Sequence, residues 1–504
     1  MTPVAWPAVF AQARVDFFFV LPETLLVLFA VLTLLFDFIL SDDQKMWNAF
    51  PALSGLALSG GALAMFGFSP QTTLAFGGSI EAGPFFTYFG LLALLLAALV
   101  ILLVTEPELS PDDRSAERYA LILLATAGTM LLACGNDLVV LFVAFETVSL
   151  SLYALACTGD ADKSSRQSTL RFLLAGAFGT ALIAYGFSML YGLGGSTNLT
   201  AIAQRLAELS QLSASQNWLL GLALVATGGG ILLRIAGVPL HSRAPDVGER
   251  APAAAAGFIS VAAKLACVVL LLRLLLSIFW PERHDWAVFL SMTAIVAMAI
   301  GTAASLRQTN LKRLLAYSAI AQGGYVLLAI AASVNRDGFL NTRGLESAGY
   351  YLFAFVLFQV GAFAVVMILR PRNGAAEDLS SLRGMLRHHP LAGAAFVVLL
   401  LSCVGVPPTA GFVAKLEVVR VLLANQHNAL GWLAVLFAIP PVYPSYRIVR
   451  AMSSAGEGAS ERRAVSDAQV VALAALVILT LLLGVYPSPF QQFASRSLAA
   501  LALR

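Results

Sequence analysis

Apolar runs of roughly 20 residues, the length an α-helix needs to cross a bilayer, recur from one end of the chain to the other. They lie near 17–40, 46–68, 84–104, 119–135, 137–157, 170–191, 218–240, 252–279, 286–305, 313–333, 347–369, 391–424, 430–452 and 467–486, separated by polar or Gly/Pro breaks. The pattern predicts an all-α, polytopic membrane protein of about 14 transmembrane helices. Because the first run continues into Asp37, Asp42 and Asp43 without a small-residue cleavage site, it is expected to stay as a helix and not to be removed as a signal peptide.

Two runs are interrupted in the same way, by Gly237-Val238-Pro239 and by Gly405-Val406-Pro407. Proline removes a backbone donor and clashes with the preceding turn, and glycine gives up packing, so each helix is expected to break at membrane depth. Five expected spans separate one break from the next. An odd number of spans per unit makes successive copies enter the membrane with opposite topology, the architecture that places broken helices around a midplane pathway. The expected division is a three-helix segment over 1–110, a first five-helix repeat over 111–280, a second, inverted five-helix repeat over 281–455, and a C-terminal helix over 456–504.

Composition removes the alternatives. Of 504 residues, 59% are hydrophobic and only 12% charged, with a mean hydropathy of +0.83. A soluble domain carries about 25% charged residues, so neither a cytosolic enzyme nor a disordered chain fits. The net charge of +3 gives no sign of a nucleic-acid partner. The four cysteines form no CxxC, and no motif for nucleotide, flavin, iron–sulfur or metal binding occurs. Of the 31 Lys and Arg, 19 fall in one set of alternate loops, 8 in the other and 4 within spans. Basic residues are retained on the cytoplasmic side, so the bias predicts an even number of spans with both termini outside the cytoplasm.

Charges inside apolar runs are the candidate functional groups. Glu146 stands alone among apolar and hydroxyl residues from 138 to 159; Arg234 precedes the first break by three residues; Lys264 lies among small residues; and Lys415 follows the second break, with Glu417 two positions on. An isolated charge at membrane depth costs several kcal/mol, so each should face protein or water and find a partner. A lysine in low dielectric gives up its proton more readily and regains it when a carboxylate approaches, which suits Lys264 and Lys415 to a relay. A guanidinium is effectively always protonated, so Arg234 is expected to fix a field and not to carry protons. The bland alternative is a set of static ion pairs, or lysines snorkelling to an interface. His241, directly after the first break, titrates near neutrality and is a candidate relay to a loop; Asp246, Glu249 and Arg250 read as a solvated turn.

Five strings, in order, carry a resemblance: Leu21-Pro22-Glu23; Asp137 through Glu146; Val238-Pro239-Leu240-His241 with Ala244-Pro245-Asp246-Val247 and Ala251-Pro252; Asn310 through Ser318; and Gly405-Val406-Pro407-Pro408 with Gly411 through Lys415. Together they resemble subunit N of bacterial NADH:quinone oxidoreductase, respiratory complex I, over nearly the whole chain. The resemblance implies an antiporter-like proton-translocating subunit of the membrane arm, in the bacterial inner membrane, with both termini periplasmic. It implies no redox cofactor on this chain, with NADH, FMN, iron–sulfur clusters and quinone on partner subunits and the other membrane-arm subunits as neighbours. It makes Glu146 the acid of the fifth helix, Lys264 the central lysine of the eighth and Lys415 that of the broken twelfth. The family's lysine on the broken seventh helix falls on Arg234, and Gln322 stands where a histidine is usual. A working pump with a fixed Glu146–Arg234 pair, a divergent scaffold that does not pump, and a cation/proton antiporter or energy-converting hydrogenase subunit all stay open at this level.

Overall fold

A computed structural model describes residues 16–67, 72–104, 114–158, 163–210, 217–235, 243–368, 378–454 and 466–502. Helices dominate them. In chain order these are α1 (Leu21–Asp37), α2 (Ala49–Gly67), α3 (Pro84–Val104), α4 (Ser115–Cys134), α5 (Leu138–Ala156), α6 (Lys163–Gly194), α7 (Leu199–Ser210), α8 (Asn217–Ile235), α9 (Arg243–Arg250) and α10 (Ala253–Ser277). After them come α11 (Arg283–Arg307), α12 (Leu311–Ala331), α13 (Thr342–Ile368), α14 (Pro390–Val404), α15 (Ala410–Ala424), α16 (Asn428–Ala438), α17 (Val442–Ser453), α18 (Asp467–Val485) and α19 (Ser488–Ala502). Among the described residues, 11 helical segments are long and apolar enough to cross a membrane. The expected runs at 17–40 and 46–68 appear as helices of 17 and 19 residues, and the run at 391–424 as two helices of 15 residues each.

Helix boundaries obey local chemistry. Asp137 caps α5 by accepting from the Val139 and Val140 amides at 2.8 and 3.4 Å, and Asn310 caps α12 by accepting from the Arg313 amide at 3.0 Å. Ser466 and Gln469 close a capping box at the start of α18. Pro440 and Pro441 separate α16 from α17 within one 26-residue apolar segment. Helices α10, α12 and α13 are the most enclosed, whereas α6, α11, the α16–α17 segment and α18 keep most of their surface outward. That division is what a lipid-facing periphery around a protein-lined interior requires.

Two features depart from the sequence expectation. The chain is not wholly α-helical: Thr73–Ala75 (β1) and Ile80–Ala82 (β2) form an antiparallel hairpin, with Leu74 opposite Glu81. Too short for a period-two signal to register, it sits in the break between two long apolar runs. In addition, the C-terminal segment holds two helices and not one, because Pro487 and Pro489 end α18 and open α19 on a new axis.

The hairpin is pinned by a buried ion pair for which the sequence offered no partner. Arg273 of α10, 1% exposed in its side chain, meets Glu81 of β2, 4% exposed, at 2.8 Å. Its guanidinium also donates to the Ala133 carbonyl at the end of α4 and lies 5.1 Å from the centre of the Phe85 ring. One arginine thus ties α3, α4, α10 and β2 together. Removing one partner of such a pair leaves an uncompensated buried charge. Arg273→Met should therefore destabilise the protein by about 3–5 kcal/mol, and adding Glu81→Gln should recover most of the loss, both read from denaturant unfolding in lipid–detergent micelles.

Candidate functional site

At the first station, helices α5, α6 and α8 meet. Gly179 of α6 and Gly230 of α8 face each other's backbone so closely that a Cβ on Gly230 would fall 2.5 Å from the Gly179 carbonyl oxygen. This approach delivers Arg234, one turn further along α8, against Glu146 of α5. Arg234 Nη2 donates to the Gly176 carbonyl at 3.1 Å and to Thr180 Oγ1 at 2.8 Å, and Nη1 donates to Ser149 Oγ. Thr180 in turn donates to Glu146 Oε1 at 2.7 Å, while the direct Arg234–Glu146 separation is 3.9 Å. The guanidinium carbon lies 4.5 Å from the centre of the Phe145 ring and 5.8 Å from that of Tyr153. Acid and base are therefore bridged by one hydroxyl; both Nη groups of the arginine are held, while its buried Nε has no hydrogen-bond partner among the described residues.

Arg234 borders a mostly apolar cavity of about 90 Å³ that Lys264 also lines, together with Ser149, Tyr153, Gly176 and Ser260. A cavity of that volume has room for several waters. Lys264 is 7% exposed; its Nζ donates to the Ser260 carbonyl at 3.0 Å and lies 5.9 Å from the centre of the Phe355 ring. Its Cε passes over Gly323 of α12.

The neighbouring residue, Gln322, leads to the third station. Gln322 Nε2 donates to the Cys403 carbonyl at 3.1 Å and contacts Cys403 Sγ at 3.3 Å, and its Oε1 accepts from the Tyr351 hydroxyl. The same Cys403 carbonyl, together with that of Val404, accepts from Lys415 Nζ, each at 2.8 Å. These carbonyls are available because the chain unwinds after α14. Gly405 adopts φ +91°, and the helix resumes at Ala410, so the last carbonyls of α14 have no amide partner within the helix. A helix C-terminus also favours a cation. The Tyr325 ring, 5.3 Å from Lys415 Nζ, stacks on Tyr351 at 5.6 Å and completes the enclosure.

The structure puts Glu146 and Arg234 in one contact group, Arg234 and Lys264 on one cavity, and Lys415 on the Cys403 carbonyl that Gln322 also reaches, and the break expected at Gly405 and Pro407 is present. The break expected at Gly237 and Pro239, and the candidate His241, lie outside the described residues. Asp246 and Glu249, read as a solvated turn, instead pair with Arg313 at 3.3 and 3.5 Å and are about one-third exposed. Sequence reading missed Ser149, Thr180, Tyr325, Tyr351 and Cys403. Hydroxyls, rings and a thiol inside apolar runs carry no signal until neighbouring helices show what they touch.

A helical membrane domain in which a broken helix cradles a buried lysine defines the class of antiporter-like membrane subunits, and a family described as NADH:quinone oxidoreductase/Mrp antiporter, TM, matches residues 135–439. NADH-quinone oxidoreductase subunit N 1 of Koribacter versatilis is 39% identical over 97% of this chain and 96% of its own length. The subunit N of Desulfovibrio desulfuricans is 35% identical over 82% of each chain. A chain of respiratory complex I from Thermus thermophilus with bound aureothin superposes with a TM-score of 0.77 at 29% identity, covering 94% of this chain and 99% of that one. A chain of the Mrp complex from a Dietzia species shares the fold, with a TM-score of 0.76 at 19% identity. This chain belongs to the NADH-quinone oxidoreductase subunit N family.

Gly405 is the position on which the lysine cradle turns. A Cβ there would lie 2.9 Å from Lys415 Cδ, on a backbone already left-handed. Gly405→Ala should cost about 1–2 kcal/mol from the backbone alone, and more if Lys415 is displaced, as measured by denaturant unfolding.

Proposed function

We propose that this chain is a proton-translocating subunit in the membrane arm of an NADH:quinone oxidoreductase, coupling quinone reduction elsewhere in the complex to proton transfer through its interior. The observation that carries the reading is the arrangement of Glu146, Arg234, Lys264 and Lys415 on four helices, with Thr180 between the first two, a shared cavity between the second and third, and Gln322, next to the Gly323 that Lys264 crosses, reaching the carbonyl that holds Lys415. Arg234 keeps its charge and sets the field at Glu146, while Lys264 and Lys415 exchange protons. Glu146 and the Thr180 hydroxyl form the end of the row on the α5 side. His241, with Gly237 and Pro239 at the first break, is assigned the connection to a loop on the same path. This chain carries no redox centre in the proposal; NADH, FMN, iron–sulfur clusters and quinone belong to partner subunits, and its neighbours are the other membrane-arm subunits. The basic-residue bias supports a bacterial inner-membrane location with both termini periplasmic, and the two Gly-Val-Pro strings support an inverted pair of five-helix repeats.

The contacts imply an order of importance. Lys264 stands between the two other stations, so Lys264→Ala in the complex reconstituted into vesicles should lower NADH-driven proton uptake by about tenfold, a loss modest beside those typical of a missing acid–base group. Arg234→Lys, which replaces a permanent charge by a titratable one, should leave assembly intact and change the uptake rate. Unaltered uptake in Lys264→Ala would remove the relay and leave a scaffold.

A further inference from the structure

Helices α13, α15 and α19 enclose a second cavity, of about 300 Å³, outside the row of lysines. Its lining is almost wholly polar: Arg343, Glu346, Ser347 and Tyr350 of α13, Glu417 of α15 and Gln491 of α19. Ser347, 3% exposed, lines this space, and its buried hydroxyl oxygen has no hydrogen-bond partner among the described residues. A buried polar atom left unpaired costs about 1–3 kcal/mol, which a turn of the Ser347 side chain toward the polar cavity would recover through a hydrogen bond to water.

The position of the cavity comes from helix geometry. Ser347 and Tyr351 are four residues apart on α13, one turn above the other on nearly the same face. Tyr351 belongs to the ring stack over Lys415, so the Ser347 hydroxyl lies one turn from that lysine's enclosure. Glu417 is two residues beyond Lys415 on α15, about 3 Å along the axis and on a different face. Both helices then run to the same end of the molecule, where Asn425 Nδ2 donates to the Ala332 carbonyl at 2.6 Å and Asn341 donates to Asn425 at 2.7 Å. Lys312 and Arg313 open α12 at the opposite end, since α12 finishes at Ala331. The cavity therefore lies between Lys415 and the face away from Lys312 and Arg313.

We propose that Glu417 and Glu346 form a proton-accepting pair that takes the proton leaving Lys415, through the Ser347 hydroxyl and waters in the cavity, and releases it at that face. The inference rests on the relay assigned above and extends it to residues outside the row. The charge balance favours a proton over a metal ion. Arg343 at the rim and Arg420, 2.7 Å from Glu417, offset the two carboxylates, so one proton taken up and released changes the net charge by a single unit. A metal cation would have to enter beside two arginines. The Arg420 side chain is 63% exposed, so its ion pair with Glu417 is screened by solvent.

The test uses the assembled complex in sealed vesicles, reading protons moved per NADH oxidised. Glu417→Gln and Glu346→Gln should each lower that yield by about tenfold. Glu417→Asp should retain most of it. Gln491→Leu, which narrows the polar rim, should slow uptake. Full yield in both glutamine variants, with Lys415→Ala inactive, would overturn the assignment of the pair and leave the relay standing. Full yield in Lys415→Ala would instead bring down the relay itself. Should Glu417→Gln fail to assemble, Glu346→Gln and Glu417→Asp decide the matter: loss in the first with retention in the second supports the pair, and retention in both overturns it.

Discussion

A charged group in a low-dielectric interior must be given polar partners by the protein, and that requirement shapes each station described here. Lys415 obtains its partners from a helix that stops: unwinding after Val404 releases two carbonyls, and both accept from the ammonium. Arg234 obtains them from a close helix crossing that brings a backbone carbonyl and two hydroxyls within reach. Lys264 has a single carbonyl of its own helix and an aromatic face, with a cavity beside it. The three cations are thus held to very different degrees. The least tightly held, Lys264, sits between the other two, where a group that must change partners is most useful.

The same requirement separates a directly paired charge from a bridged one. The Arg273–Glu81 pair is drier and closer than Glu146–Arg234, at 2.8 Å against 3.9 Å. It fastens a hairpin over three helices. By contrast, Glu146 reaches Arg234 chiefly through Thr180, whose hydroxyl accepts on one side and donates on the other. Because a guanidinium only donates, the direction of this bridge is fixed, and the arginine polarises the hydroxyl toward the carboxylate across one intervening group, whereas the direct Arg273–Glu81 pair anchors.

The substitution of Arg234 for the lysine that the family resemblance implies fits this picture. A guanidinium presents donors in a planar fork, and here the fork is spread over Ser149, Gly176 and Thr180 while its face lies on Phe145. A lysine could occupy fewer of those partners and would carry a proton of its own. Under the proposed function, the arginine makes the first station a fixed charge and leaves exchange to the two lysines beyond it. Gln322, in the place of an expected histidine, likewise does not titrate; it acts as a connector, joining Tyr351 to the carbonyl that holds Lys415.

The amino-acid sequence by itself determined the membrane class, the approximate limits of the long helices, the break at Gly405–Pro407 and the four charges worth pursuing. Hydrophobic periodicity and the cost of charge in lipid are local properties that can be read one run at a time. Only the tertiary structure decided which helices meet. Partnerships such as Glu81 with Arg273, 192 positions apart, or Gln322 with Cys403, 81 apart, have no local signature. The hairpin was too short to announce itself. The second C-terminal helix was merged with the first because a proline ends one helix without dictating whether a loop or another helix comes next. The polar cavity at Glu346 and Glu417 belongs to the same category: its walls come from three helices, and neither carboxylate stands out in its own run until the helices are packed.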